Sequence, residues 1–375
     1  MTAKLTKWFK QETVFCIALA LALASMILVP PSAAYWGYID FSTLGLLFCL
    51  MAVVSGFRRL GLFDWLARRL LTRVGNFRLL GGVLVLLCFF SSMLITNDVA
   101  LLTFAPLSIT LLQITGKQRY LIGILVLQTV AANLGSMLTP VGNPQNLYLF
   151  QLSGMGLAGF IRLLLPYAAL SLGLLLISCF WLPAETGVAL PPEPFSLWTQ
   201  QGWRARLLLH LSLFFLSLLA VVQLFPWWLL LTVVSAACLL WDRPVFKQVD
   251  ISLLLTFVFF FIFIGNISAI PAVKTFLQSF VTGKEMAVAV LSSQLISNVP
   301  AAVLLSGFTQ NYPSLLIGVD IGGLGTLIAS MASLISYRFY TKTENCRVGR
   351  YLLIFTGVNV AFLLPNLLLY AYIGV

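Results

Sequence analysis

Ser91-Ser92-Met93-Leu94-Ile95-Thr96-Asn97-Asp98 decides how the rest of the chain folds. It lies in an apolar run too hydrophobic to face water, yet it ends in three consecutive polar residues. A second copy, Ser292-Ser293-Gln294-Leu295-Ile296-Ser297-Asn298-Val299, follows 201 positions later with five of eight residues identical. Two polar tips at corresponding places in two halves point to one shared site.

The surroundings of that site are set by composition. Of 375 residues, 60% are hydrophobic and 9% charged, with a mean hydropathy of +1.01. Soluble domains do not reach these values, and the length suffices for about ten spans of roughly 20 residues. The chain reads as an all-α polytopic membrane protein whose principal partner is the lipid bilayer. The net charge of +11 is read as cytoplasmic-loop Lys and Arg rather than as a nucleic-acid surface. The six cysteines form no CxxC and have no histidine at ligand spacing, so they are read as small hydrophobes and not as a metal site. Nothing resembles a phosphate loop or a catalytic triad, so the chain is read as a non-enzyme without a cofactor, driven by an ion gradient.

Lys4, Lys7 and Lys10 precede an apolar run over 14–30. The pattern imitates a signal peptide but is read as a retained first helix, because the second half has a matching segment. A span over 40–56 follows. The arginine-rich stretch 57–78, interleaved with leucines and aromatics, is expected to lie in the interface. The apolar run 79–114, interrupted at Thr96, Asn97 and Asp98, returns the chain to the side it left, as two tight spans or a re-entrant hairpin. The run 120–150 contains Thr139-Pro140-Val141-Gly142-Asn143-Pro144-Gln145-Asn146. Those prolines and the glycine cannot sit in an unbroken helix against lipid, so a break lining a cavity is expected.

After a span over 160–182 and a linker over 183–201, spans are expected at 203–222, 227–241 and 251–270. A second tip region over 285–308 and a second broken helix over 314–338 precede a last span over 351–373. Shifting by 187 aligns Gly322 with Gly135, Thr326 with Thr139, Ala329 with Gly142 and Ser330 with Asn143. If both tip regions return, the chain crosses nine times, and of the 22 Lys and Arg residues only Arg162, Lys274 and Lys284 fall opposite the N-terminus. That asymmetry places the N-terminus in the cytoplasm and the C-terminus outside, in the inner membrane of a bacterium. The expected organisation is a first repeat over 1–182, a linker and connecting helix over 183–222, and a second repeat of inverted topology over 223–375.

Inverted repeats with paired helix breaks are the pattern of secondary transporters. A broken helix offers free N–H groups and a positive dipole end on one side, and free carbonyls on the other. The expected ligands for a small ionic substrate are Thr96, Asn97, Asp98, Thr139, Gly142, Asn143, Ser297, Asn298, Thr326 and Ser330. An acid at membrane depth costs about 2.5–3.5 kcal/mol on insertion scales and is paired, protonated or used. Asp98, and after it Asp320, are therefore the candidates for proton coupling, against the alternative that Asp98 only caps the following helix. Asp40 and Asp250 are read as caps, and His210 as an interfacial or packing residue.

These motifs, in this order, resemble the ion-transporter superfamily, which holds arsenite permeases, D-type sodium/proton antiporters, and citrate and dicarboxylate permeases. The resemblance implies two re-entrant hairpins meeting two broken helices, a possible sodium ion at Asn97 and Asn298, and a homodimer. The dicarboxylate symporters carry Ser-Asn-Thr at both tips, whereas here Asp98 and Val299-Pro300 follow the asparagines. The Asn-Asp tip and the Thr-x-x-Ala-Ser second loop look closer to the arsenite and D-type antiporter branch. The resemblance thus implies transport of a small oxyanion, arsenite or carboxylate with protons or sodium, or alternatively sodium/proton antiport; an ion channel is the reading from another class.

Overall fold

The computed structural model describes residues 13–71, 74–185, 202–344 and 346–373. The lysine-bearing leader and most of the linker between halves lie outside them. The described residues form helices and no strands. The first set comprises α1 (Thr13–Leu28), α2 (Phe41–Leu60), α3 (Leu62–Leu71), α4 (Phe77–Ile95), α5 (Asn97–Ile114), α6 (Leu121–Ser136), α7 (Pro144–Ser153) and α8 (Leu157–Phe180). After α9 (Trp203–Val221) come α10 (Trp227–Trp241), α11 (Ile251–Ser268), α12 (Pro271–Val281), α13 (Glu285–Ile296), α14 (Asn298–Ser306), α15 (Tyr312–Ile321), α16 (Met331–Thr341) and α17 (Val348–Ile373). Seven described helices are long and apolar enough to cross a membrane. Large apolar side chains such as Phe180, Phe215 and Leu368 stand exposed on the outside. A surface of that kind is stable against lipid and costly against water. The chain is a multi-pass membrane protein.

Local chemistry sets the helix ends. Asp40 Oδ1 accepts the Thr43 N–H at 3.0 Å to start α2, and Asp250 Oδ1 accepts the Leu253 N–H at 2.9 Å to start α11. Both act as N-caps. The stretch 57–78, expected as one interfacial helix, is divided. Phe57 to Leu60 continue α2 until Gly61, at φ 72°, turns left-handed and returns its N–H to the Phe57 and Arg58 carbonyls. Glycine reaches that conformation without a Cβ penalty, which is why α2 stops there. Only α3 remains as the short amphipathic piece. A second such helix, α12, occupies what reads as a loop; Pro271 sits in its first turn, and Val273, Phe276, Leu277, Phe280 and Val281 follow helical spacing.

The same unit occurs twice. In each, a helical hairpin (α4–α5, α13–α14) packs along a helix that ends in a break (α6, α15). Close approach requires glycine. A Cβ on Gly135 would lie 2.1 Å from the Phe89 carbonyl oxygen and 2.8 Å from Ser92 Oγ, and one on Gly322 would lie 2.8 Å from Ser293 Oγ. Ser92 and Ser293 are corresponding residues of the two tip motifs. The units also exchange elements: α7, which follows the first break, packs on α14 and α15, while α16, which follows the second, packs on α5 and α6. Neither break could be filled by its own unit alone.

Around this centre, α1 packs on α11, and α9 and α10 pack on α2. His210, expected as an interfacial or packing residue, is fully buried and packs between helices. Its ring lies over Gly56, where a Cβ would meet Cε1 at 2.1 Å. Its Nε2 faces Asp242 Oδ2 at 3.1 Å, and Arg59 donates to Asp242 Oδ1 at 2.9 Å. At the start of the linker, Glu185 accepts from Lys117, Arg119 and Tyr120. Lys117, followed by Arg119, holds that carboxyl below the usual carboxylate range.

Two substitutions test this packing in detergent-purified protein. Gly135→Ala is expected to destabilise by about 1–3 kcal/mol through overpacking, read as a lower melting temperature, while Gly123→Ala, with nothing within 4 Å of the added Cβ, leaves it unchanged. Asp242→Ala removes the one hydrogen-bond partner that the His210 ring has among the described residues and is expected to cost about 1–3 kcal/mol as an unsatisfied buried polar group.

Candidate functional site

Each hairpin turns at one residue. Thr96 has φ 71° and ψ 151°, and Ser297 has φ 75° and ψ 154°. Non-glycine residues in that region carry about 1–3 kcal/mol of strain and persist only where their surroundings hold them. Here each tip is tied to a break by the main chain. Asn97 N–H donates to Gly142 O at 3.2 Å, and Asn298 N–H donates to Ala329 O at 3.0 Å. Gly142 and Ala329 are the residues that the 187-position shift pairs. Behind the tips, Asn97 Oδ1 accepts the Asp98 N–H at 2.9 Å and Asn298 Oδ1 accepts the Val299 N–H at 3.0 Å. Both asparagine oxygens therefore bind their own helix starts, and both amide nitrogens point away from them.

The threonines play a paired part as well. Thr139 donates its hydroxyl to the Met93 carbonyl, and Thr326 donates to the Gln294 carbonyl at 3.0 Å. They pin each break to its hairpin and line neither cavity described below. Gly142 has no room for a side chain, since a Cβ would sit 2.1 Å from the Ser136 carbonyl oxygen. Asn143 Nδ2 donates to Ser136 Oγ at 2.7 Å, leaving Asn143 Oδ1 buried without a partner. Ser330 caps α16 through the Ser333 N–H at 3.2 Å and accepts from Asn133 Nδ2 at 2.9 Å.

Asn133 links the halves and carries more than its sequence context reveals. Its Oδ1 accepts from Asn97 Nδ2 at 3.0 Å, and its Nδ2 also approaches the Gly323 carbonyl at 3.3 Å. One side chain thus joins the first tip to the second break. Gln294 is its structural complement on the other side, donating to the Gly322 and Leu324 carbonyls at 2.9 Å each. The available signal for both was an amide in an apolar helix beside a break.

Two cavities meet at Asp98. The larger, about 170 Å³, runs from Arg58, Gln248 and Asp250 inward to Thr96, Asp98 and Asn143. Arg58 lies in the last turn of α2 and Asp250 caps the start of α11, so this cavity reaches from those helix ends to the first hairpin tip. The smaller, about 60 Å³, is lined by Asn97, Asp98, Gln145, Asp250, Ser297 and Asn298, among others. Both hairpin tips therefore border one space. The Asp98 carboxylate caps no helix in this arrangement, and its Oδ1 is buried with no hydrogen-bond partner among the described residues. Asp250, read from sequence as a cap, both caps α11 and faces Asp98 across each cavity. Asp320 and Ser330 line neither cavity.

Comparison with known proteins follows the same lines. The citrate-transporter family (CitMHS) model matches residues 5–312. An uncharacterised transporter of Methanocaldococcus jannaschii is 31% identical over 357 residues, 95% of each chain. Inner membrane protein YbiR of Escherichia coli is 33% identical over 351 residues, 90% of each chain. A silicon efflux transporter of rice is 31% identical over 160 residues, 41% of this chain and 32% of its own. With a family match over most of its length, the chain belongs to the CitMHS citrate-transporter family of membrane transporters.

Proposed function

We propose that this protein is a secondary active transporter that carries a small oxyacid or carboxylate across a bacterial inner membrane, coupled to a proton or sodium gradient. The observation that carries this reading is the single space bordered by both hairpin tips and entered through the cavity at Asp98. In this reading the two hairpin-and-break units, within 1–182 and 223–375, have inverted topology and move against α1, α2, α9, α10 and α11. The larger cavity is then the inward-open path, with the N-terminus in the cytoplasm, and Asp98 is the coupling group. Asp320 is the second candidate acid for that role.

Charge narrows the substrate. Among the described residues, the larger cavity is lined by two acids, Asp98 and Asp250, and a single basic side chain, Arg58. A bare anion beside a desolvated carboxylate is repelled by several kcal/mol at an effective dielectric of about 20. An uncharged hydroxy acid, such as arsenite in its neutral form, meets no such barrier and finds hydrogen-bond acceptors at Thr96, Asp98 and Asn143. The partial likeness to a silicon efflux transporter agrees with that substrate class. A carboxylate such as citrate fits only if cations or protons accompany it.

The smaller cavity favours a second reading, a sodium/proton antiporter. It is about 60 Å³ against about 170 Å³ for the larger, it contains both Asp98 and Asp250, and among the described residues no basic side chain lines it. That suits a cation better than a polyatomic solute.

Proteoliposomes with an internal pH dye separate these readings. Arsenite, silicic acid, citrate and sulfate gradients are applied in turn, then sodium alone. An internal pH change driven by a neutral hydroxy acid is expected, reduced in Asp98→Asn by about tenfold or more, the scale of ~1.4 kcal/mol. A response to sodium alone would select the antiporter instead. Silence towards every solute and ion would sink both.

A further inference from the structure

Asp320 is the deepest acid in the described protein, 1% exposed. It sits in the last turn of α15, just before the second break. Its Oδ1 accepts from Gln145 Nε2 at 3.3 Å across the boundary between the two units, and Asn146 lies against the same carboxylate. Gln145 and Asn146 are fully buried in the first turn of α7. The Asn146 amide nitrogen is shared among the Ser136, Met137 and Thr139 carbonyls. Three buried acceptor oxygens are consequently left with no donor among the described residues: Asp320 Oδ2, Gln145 Oε1 and Asn146 Oδ1.

The surroundings offer no counter-charge. The helices packed on α15 are α6, α7, α13, α14 and α17. Among their described residues, the charged ones are Glu285, whose carboxylate accepts from Thr309 and Gly283, and Arg350, which is exposed. Tyr148 on α7 is bonded to Ser306, and Tyr351 on α17 is bonded to Ser336. The positive end of α7 points at the carboxylate but supplies at most about half a unit charge. An ionised carboxylate so enclosed is unfavourable unless a cation joins it. One carboxylate balances one positive charge, so a divalent ion would leave a net charge buried.

We propose that Asp320, Gln145 and Asn146 form a buried monovalent-cation site, taken by a sodium ion or a proton, distinct from the hairpin tips. The carboxylate and the two amide oxygens supply the hard oxygen ligands such an ion requires. Gln145 also lines the smaller cavity with Asp98, which makes its side chain the gate between that cavity and Asp320. Because α7 follows the first break and α15 precedes the second, an ion here ties the two units together. Its consequence for coupling rests on the transporter reading; its binding does not.

The test is ligand-dependent stability of the purified full-length chain, so transport does not enter the readout and failure of the carrier reading leaves it intact. Melting temperature is measured against sodium chloride, with choline chloride as control, and then against pH in sodium-free buffer. A ligand that binds only the folded state raises the melting temperature by mass action. Sodium is expected to raise it by several degrees in wild type and in the packing-neutral Gly123→Ala, with the rise lost in Asp320→Asn and weakened in Gln145→Ala. If sodium has no effect but the wild-type pH dependence disappears in Asp320→Asn, the occupant is a proton and the site stands. A sodium and pH response in Asp320→Asn equal to that of wild type overturns the site, as does a wild type that responds to neither.

Discussion

The main-chain hydrogen bond from each hairpin tip to the facing break is the constraint on which the rest of the protein depends. Inside a bilayer, an interrupted helix leaves N–H and C=O groups with no water to satisfy them. Here the tip N–H of Asn97 and the carbonyl of Gly142 satisfy each other, as do Asn298 and Ala329. Thr139 and Thr326 add a side-chain bond from each break to the carbonyl three residues before each tip. Strain at Thr96 and Ser297 is the consequence: the chain must reverse within one residue to aim those groups at one another.

That constraint also explains why the two units interlock. A break filled only by its own hairpin would still expose the half-helix that follows it. Packing α7 on the second unit and α16 on the first covers both. The covering surfaces carry the polar side chains that remain, with Asn133 reaching Ser330 and Gln145 reaching Asp320. Polar residues that close a break in one half thereby become linkers to the other half, and the acids at Asp98 and Asp320 end up beside amides rather than beside basic residues.

The balance of charge then separates two environments. Arg59, His210 and Asp242 form a compensated network among α2, α9 and the turn after α10, a structural use of charge. Among the described residues Asp98 and Asp320 have no such partner, and each keeps one buried oxygen unbonded. In an apolar protein with few charged residues, uncompensated acids are the costly positions, and they stand where the hairpins and breaks meet.

Much of this was legible in the chain itself. The tip motifs, their second copies, the proline-glycine breaks and the apolar lengths of the spans are local patterns, and local patterns dictate helix starts, stops and membrane depth. They identified the two tips and the two breaks, and they identified Asp40 and Asp250 as caps. Other features depended on contacts between residues far apart in sequence. Nothing local distinguishes the Asp250 cap that also faces Asp98 from the Asp40 cap that lines neither cavity. Nothing local shows that Asn133 and Gln145 reach across to the opposite unit, that His210 is buried on Gly56, or that the threonine hydroxyls are used up by hairpin carbonyls. Backbone satisfaction in lipid is a rule each segment obeys alone, so sequence reveals it; which polar side chain is left over is decided only when the two units close on each other.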